Sequence, residues 1–119
     1  MKFFITEDDM CTTQKLNLAR VQQWIIKNRG SIVSDPANAG KILCQTCNGW
    51  SLLEKNSYKR IRKYSKKFKD KMIVMGCIND AHPKKVKKIF DGPTVQTKTD
   101  KPYSFASIQK YFPEFKIAL

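Results

Sequence analysis

The chain opens on a short β-prone run, KFFIT at residues 2–6, and turns acidic immediately after it. Through the following TTQKLNLARVQQWIIKNRG, Leu18, Val21 and Ile25 recur at helical spacing, with Thr12 or Thr13 positioned to cap the start and Gly30 to stop the helix. SIV at 31–33 reads as a brief strand, SDPANAG as a turn-rich connection and KILCQT at 41–46 as a buried strand. From about Ser51 a second helix carries Leu53, Ile61, Tyr64 and Phe68 on one stripe. KMIVMG at 71–76 is a third buried strand, and Pro83 suits the first position of a short helix running through Phe90. A weak strand near 94–97 and a closing helix over about 103–112 end the pattern.

Strands alternating with helices in so short a chain predict an α/β domain: a mainly parallel sheet of four to five strands, covered by helices on both faces. With 119 residues there is room for one core, and 41% hydrophobic against 28% charged residues excludes disorder throughout. Residues 1–119 are therefore read as a single domain, without internal repeat, low-complexity tract or linker. No apolar run approaches the roughly 18 residues of a membrane span, and the acidic turn interrupts any signal-peptide core. The expectation is a cytoplasmic protein with no membrane partner. In that compartment four cysteines point to metal binding or catalysis rather than to a disulfide framework, with ordinary buried thiols as the plain alternative.

Charge adds a second theme. Lys and Arg number 23 against 10 Asp and Glu, a net charge of +13, and the excess is concentrated. KNSYKRIRKYSKKFKDK at 55–71 holds nine basic side chains and one acid, Asp70, and PKKVKK at 83–88 adds four lysines. Such a field attracts polyanions, whether RNA, an acidic peptide or an acidic protein surface; the plain alternative is a well-solvated helix face. Lys59, Arg60, Arg62, Lys63, Lys66 and Lys67, on the side opposite the apolar stripe, are the candidate contacts.

The cysteines fall into a pattern once the strands are placed. Cys11, Cys47 and Cys77 each follow a strand, near the start of a helix, and lie 36 and then 30 residues apart. The carboxyl ends of parallel strands share one edge of an α/β sheet, where ligand sites gather. Three thiols would converge there, suiting an iron–sulfur cluster or zinc. A zinc site would need to recruit Cys44 or His82 as a fourth ligand. Cys44 lies inside a buried strand, where a free thiol often serves as a small apolar side chain, and His82 precedes Pro83 in a turn where solvent exposure is its ordinary state.

Cys11 after the first strand, TCNGWSLLEKNSYKRIRK around Cys47 and IVMGC around Cys77 together resemble the amino-terminal domain of the radical S-adenosylmethionine methylthiotransferases, which modify tRNA and ribosomal protein. The similarity covers residues 2 to about 98. It implies a small flavodoxin-like three-layer fold, with Cys11, Cys47 and Cys77 binding an auxiliary [4Fe-4S] cluster that supplies or docks sulfur. Cys44 matches no family ligand. The family usually has Gly before the first cysteine and Asn three positions after it, where this chain has Met10 and Gln14, and Gln45 stands where Asn commonly precedes Thr-Cys. The CxxxCxxC motif of the family's radical-generating barrel has no counterpart among these residues. The resemblance therefore implies at most a non-catalytic part or subunit, with S-adenosylmethionine reached only through a partner radical enzyme or domain, and tRNA or an acidic protein as possible substrate.

Two rivals belong to other classes. Cys44-x-x-Cys47 between a strand and a helix also suits a thioredoxin-like redox site, although side chains three apart in an extended segment point to opposite faces. A metal-free basic module that binds RNA or a protein through the 51–69 helix accounts for the charge and leaves the thiols without a role.

Overall fold

The computed structural model describes residues 1–6, 12–47, 51–95 and 106–119. Its elements are β1 (Lys2–Ile5), α1 (Thr12–Lys27), β2 (Ser31–Ile32), β3 (Lys41–Thr46), α2 (Ser51–Phe68), β4 (Met72–Gly76), α3 (Cys77–Ala81), α4 (Pro83–Ile89), β5 (Thr94–Val95) and α5 (Ala106–Gln109). Short 3-10 turns at Pro36–Asn38 and Lys69–Lys71 lead into β3 and β4. All strand pairs are parallel, in the order β2-β1-β3-β4-β5, which is the flavodoxin-like arrangement. Each predicted strand is present, and α3 adds a helical turn that the sequence pattern does not anticipate. The expected closing helix over about 103–112 is helical only at Ala106–Gln109 and gives way to a turn at 110–111; its residues 103–105, like residues 96–97 of the expected last strand, lie outside the described residues.

From β1 to β2 the chain steps one way along the sheet, and from β3 to β4 it steps the other. Right-handed crossovers then put α1 and α2 on opposite faces. Two cores reflect this. On one face Phe3, Ile5, Leu43, Ile73 and Met75 meet Val21, Trp24 and Ile25 of α1 and the tail residues Phe112 and Phe115. On the other, Ile42, Cys44, Met72 and Val74 meet Tyr58 and Ile61 of α2, Ile78 of α3 and Val86 of α4. The alternation of consecutive strand residues between the two lists is the period of two that a sheet imposes. Since the central strands are covered on both faces, β3 and β4 read as continuous apolar runs rather than as alternating ones.

The tail is held by both apolar and polar contacts. Trp24 packs edge-on against Phe112 and Phe115, with ring centroids 5.4 and 4.8 Å away. Its indole N–H donates to the Ile117 carbonyl at 2.8 Å, and Asn28 both donates to that carbonyl and accepts from the Ile117 N–H. Burial of a large aromatic body whose polar tip finds a partner suits Trp at such a seam.

The stop of α1 differs from the expectation at Gly30. The left-handed residue is Arg29, at φ 66°, and the Gly30 N–H bonds the Ile25 carbonyl while the Arg29 N–H bonds that of Ile26. This is a Schellman closure with Arg in the place that glycine usually takes. Gly30 serves close approach instead, since a Cβ there would run into Ile25. Arg29→Gly, which removes the left-handed cost of a side chain, is expected to stabilise the domain by about 0.5–1 kcal/mol in urea unfolding; a destabilised variant would mean that the Arg29 side chain contributes more than its backbone strain costs.

Candidate metal centre

The register of the β3–β4 pair aligns Thr46 with Gly76, so Cys47 and Cys77 are the next residues along two adjacent strands. Neighbouring strands lie about 4.8 Å apart, so the two cysteines leave the same edge of the sheet side by side. Cys47 is fully buried, on the α1 face, and Cys77 is half-buried at the first position of α3. Cys11 lies outside the described residues; the chain on either side of its segment is placed by Thr6, at the end of β1, and by Thr12, at the start of α1. Among the described residues no three His, Cys, Asp or Glu side chains gather as a metal site, so the described part of this edge contributes two thiols.

Cys44 lies on the opposite face of the sheet from Cys47. It belongs to the core under α2, α3 and α4, whereas Cys47 belongs to the core under α1. A disulfide needs Cβ atoms about 3.8 Å apart, pointing towards each other, and side chains on opposite faces of one strand cannot meet that. His82 is exposed, 3.8 Å from a Glu54 carboxylate oxygen.

A layer of buried polar groups surrounds the two cysteines. Thr6, Gln45, Thr46, Ser57, Arg60 and Asn79 are all buried, and all bond at the carboxyl ends of the strands. The Thr6 hydroxyl accepts from the Gln45 N–H at 3.0 Å and ties β1 to β3. The Thr46 hydroxyl donates to the Met75 carbonyl at 2.8 Å and accepts from the Ile78 N–H at 3.2 Å, fastening α3 to the end of β3. The Cys47 main chain is clamped by one side chain of α2: its N–H donates to Ser57 Oγ at 2.8 Å, and that hydroxyl donates to the Cys47 carbonyl at 3.0 Å. Asn79 donates to the Val95 carbonyl, bringing β5 into the same network. Strand ends leave main-chain groups without ladder partners, and in a buried edge side chains must supply them.

Arg60 departs from its expected place. It is 3% exposed, on the inward side of α2, with its guanidinium 3.4 Å from both the Gln45 carbonyl and Ser57 Oγ. Its position three residues after Ser57 and seven after Leu53 puts it on the buried stripe, so it supports the Cys47 clamp rather than facing solvent. Lys59, Arg62, Lys63, Lys66 and Lys67 are exposed as expected. The missed signal is the pair Ser57 and Arg60, polar residues at positions where the helical period calls for apolar ones.

Gly76 makes the close approach of the two strands possible. With φ 104° and ψ −168° it occupies a region open essentially to glycine alone, and a Cβ there would fall on the Thr46 carbonyl oxygen. Gly76→Ala is expected to cost more than about 3 kcal/mol in urea unfolding, strain and overlap combined. Thr46→Val and Ser57→Ala, each leaving buried main-chain groups without a partner, should cost about 1–3 kcal/mol apiece. A change below about 0.5 kcal/mol in either would show that the edge does not depend on these bonds.

The searches of curated proteins and of solved structures found no match. Residues 9–96, well over half of the chain, match the family described as Uncharacterized protein family UPF0004. That match spans Cys11, Cys47 and Cys77 and runs from just after β1 through β5. The chain belongs to this family, which is the amino-terminal domain of methylthiotransferases of the tRNA- and ribosomal-protein-modifying type.

Proposed function

We propose that the domain holds an auxiliary [4Fe-4S] cluster through Cys11, Cys47 and Cys77. The observation that supports this reading is the Thr46–Gly76 register, by which Cys47 and Cys77 directly follow matching positions of two adjacent strands. Fit to the group rests on donor chemistry: thiolate sulfur is the usual protein ligand of such clusters. Three thiolates on four irons leave one iron without a protein ligand, a place for the sulfur that methylthiotransfer consumes. The chain's own residues supply rigidity. Ser57 fixes the Cys47 backbone, Thr46 fixes the first turn of α3 that carries Cys77, and Arg60 places a positive charge beside the Cys47 segment.

S-adenosylmethionine and the radical come, in this reading, from a separate domain or polypeptide, because cysteines at 11, 44, 47 and 77 alone cannot form a second CxxxCxxC site. The domain by itself then has no methylthiotransferase turnover. The exposed α2 residues Lys59, Arg62, Lys63, Lys66 and Lys67 attract an anionic substrate or partner towards this unit.

Anaerobic reconstitution with iron and sulfide, followed by iron counting and electron paramagnetic resonance, tests the proposal. About four irons per chain are expected. Cys11→Ser, Cys47→Ser and Cys77→Ser should lose the iron while keeping the far-ultraviolet circular dichroism of the parent, and Cys44→Ala should retain it. Equal loss in Cys44→Ala, or recovery of zinc in place of iron, would overturn the three-thiolate assignment.

A further inference from the structure

Among the described residues Arg60 is the one charged side chain in the interior, 3% exposed on the inward side of α2. Its guanidinium lies 3.4 Å from the Gln45 carbonyl and 3.4 Å from Ser57 Oγ. Both contacts lead to a candidate ligand. Gln45 stands two residues before Cys47, and Ser57 Oγ is the same hydroxyl that grips the Cys47 N–H and carbonyl, at 2.8 and 3.0 Å. The cation is therefore one hydroxyl removed from the Cys47 main chain.

A structural task at this place calls for a donor, not for a charge. The Gln45 carbonyl and the Ser57 hydroxyl are neutral acceptors, and the side-chain amide of a glutamine donates to such groups as well as a guanidinium does. At 3.4 Å the two bonds are also long, so neither by itself accounts for a full positive charge held away from water, which is far costlier to bury than an amide. What the charge adds is a field on whatever the neighbouring cysteines hold. Cys47 is itself fully buried, and negative charge gathered there lies in a setting of low dielectric, where a fixed cation acts across several ångströms.

We infer that Arg60 is a positioning residue for the cluster that also sets its reduction potential: the fixed positive charge favours the one-electron-reduced form at this edge. The inference rests on the three-thiolate reading of Cys11, Cys47 and Cys77. Counting the protein ligands alone, three thiolates on a [4Fe-4S] core of charge 2+ leave one net negative charge, and the reduced core leaves two, so a buried cation acts more strongly on the reduced form. The step is the uptake of one electron from an external one-electron reductant, with no bond to iron formed or broken. A unit charge about 10 Å away, at an effective dielectric of about 20, changes such an equilibrium more than tenfold. The exposed cations on the same turns of α2, Lys55 and Lys59, are screened by water and salt and lack this leverage.

Titration of the reconstituted chain with dithionite, followed by the electron paramagnetic resonance of the reduced cluster, tests this. Arg60→Gln keeps a donor and removes the charge. It should lower the ratio of reduced to oxidised cluster at a fixed solution potential by about tenfold or more, which is a downward shift of at least about 59 mV for one electron. Arg60→Lys, which restores the charge, and Lys55→Gln, which removes an exposed one from the same helix, should each stay within about threefold of the parent. A merely structural role predicts the reverse grouping, with Arg60→Gln at the parent's potential because the donor is kept. That result, or an equal drop in Lys55→Gln, would overturn the inference. Should Arg60→Gln fail to hold iron, Arg60→Lys decides: iron held at the parent's potential upholds the need for charge, and iron lost there too overturns it. A parent that takes up no iron sinks the cluster reading and this inference with it, whereas a loaded parent whose potential ignores Arg60→Gln sinks this inference alone.

Discussion

Thr46 and Gly76 stand opposite each other in the β3–β4 pair, so close that a side chain at 76 would occupy the place of the Thr46 carbonyl. That approach sets the geometry of the whole carboxyl edge. It lets β4 end in a sharp change of direction, so that Cys77 begins a helix at once instead of continuing the strand. It also brings the Thr46 hydroxyl within reach of both the Met75 carbonyl and the Ile78 N–H. One side chain thus closes the end of β3, the end of β4 and the first turn of α3. Without a glycine at 76 the cysteines would still follow their strands, but the turn that presents one of them beside the other would not close.

The price of burying such an edge is a set of main-chain groups with no ladder partner, and the response is a concentrated polar layer. Thr6, Thr46, Ser57, Arg60 and Asn79 each bond strand-end or post-strand main chain. Their placement by β1, β3, α2 and α3 links four elements to the Cys47 segment without using apolar contact. A network in a low-dielectric setting is rigid when satisfied and costly when broken, which is the property a ligand-presenting edge requires. The opposite, amino-terminal edge is tied differently: Lys71 donates to the Pro36 and Ala39 carbonyls, holding the turn before β3.

Much of the architecture was legible because the two core strands are apolar on both faces. KILCQT and MIVMG cannot be half-exposed, so a sheet covered on both sides follows from composition and alternation with helices. Their register is not legible, and it is the register that makes Cys47 and Cys77 neighbours. The helix stop was readable only to within a residue, since the local pattern offers Gly30 while the closure uses Arg29. The basic block misled in a more instructive way. Its nine cations look alike in sequence, yet Arg60 is drawn inside by helical phase, Lys71 is spent on carbonyls at the far edge and Lys69 is paired with Asp91. Charge density announces a surface, but phase and tertiary partners decide which charges remain on it.

Those that remain begin beside the cysteine edge, with Lys55 and Lys59 on the first turns of α2, and continue away from it. The helix's first turns meet the carboxyl edge through Ser57 and Arg60, and its later turns carry Arg62, Lys63, Lys66 and Lys67 away from that edge, along the helix axis. In a parallel sheet a crossover helix starts at the carboxyl edge and runs back towards the amino edge, so this gradient is imposed by the fold. The row of cations on α2 therefore has one end near the cysteines and the other near Lys69, which pairs with Asp91. The same helix that clamps Cys47 carries its exposed cations in a line that begins beside it. The clamp on the Cys47 segment and the basic outer row need not be separate adaptations, because both follow from where a single amphipathic crossover helix begins and which way it runs.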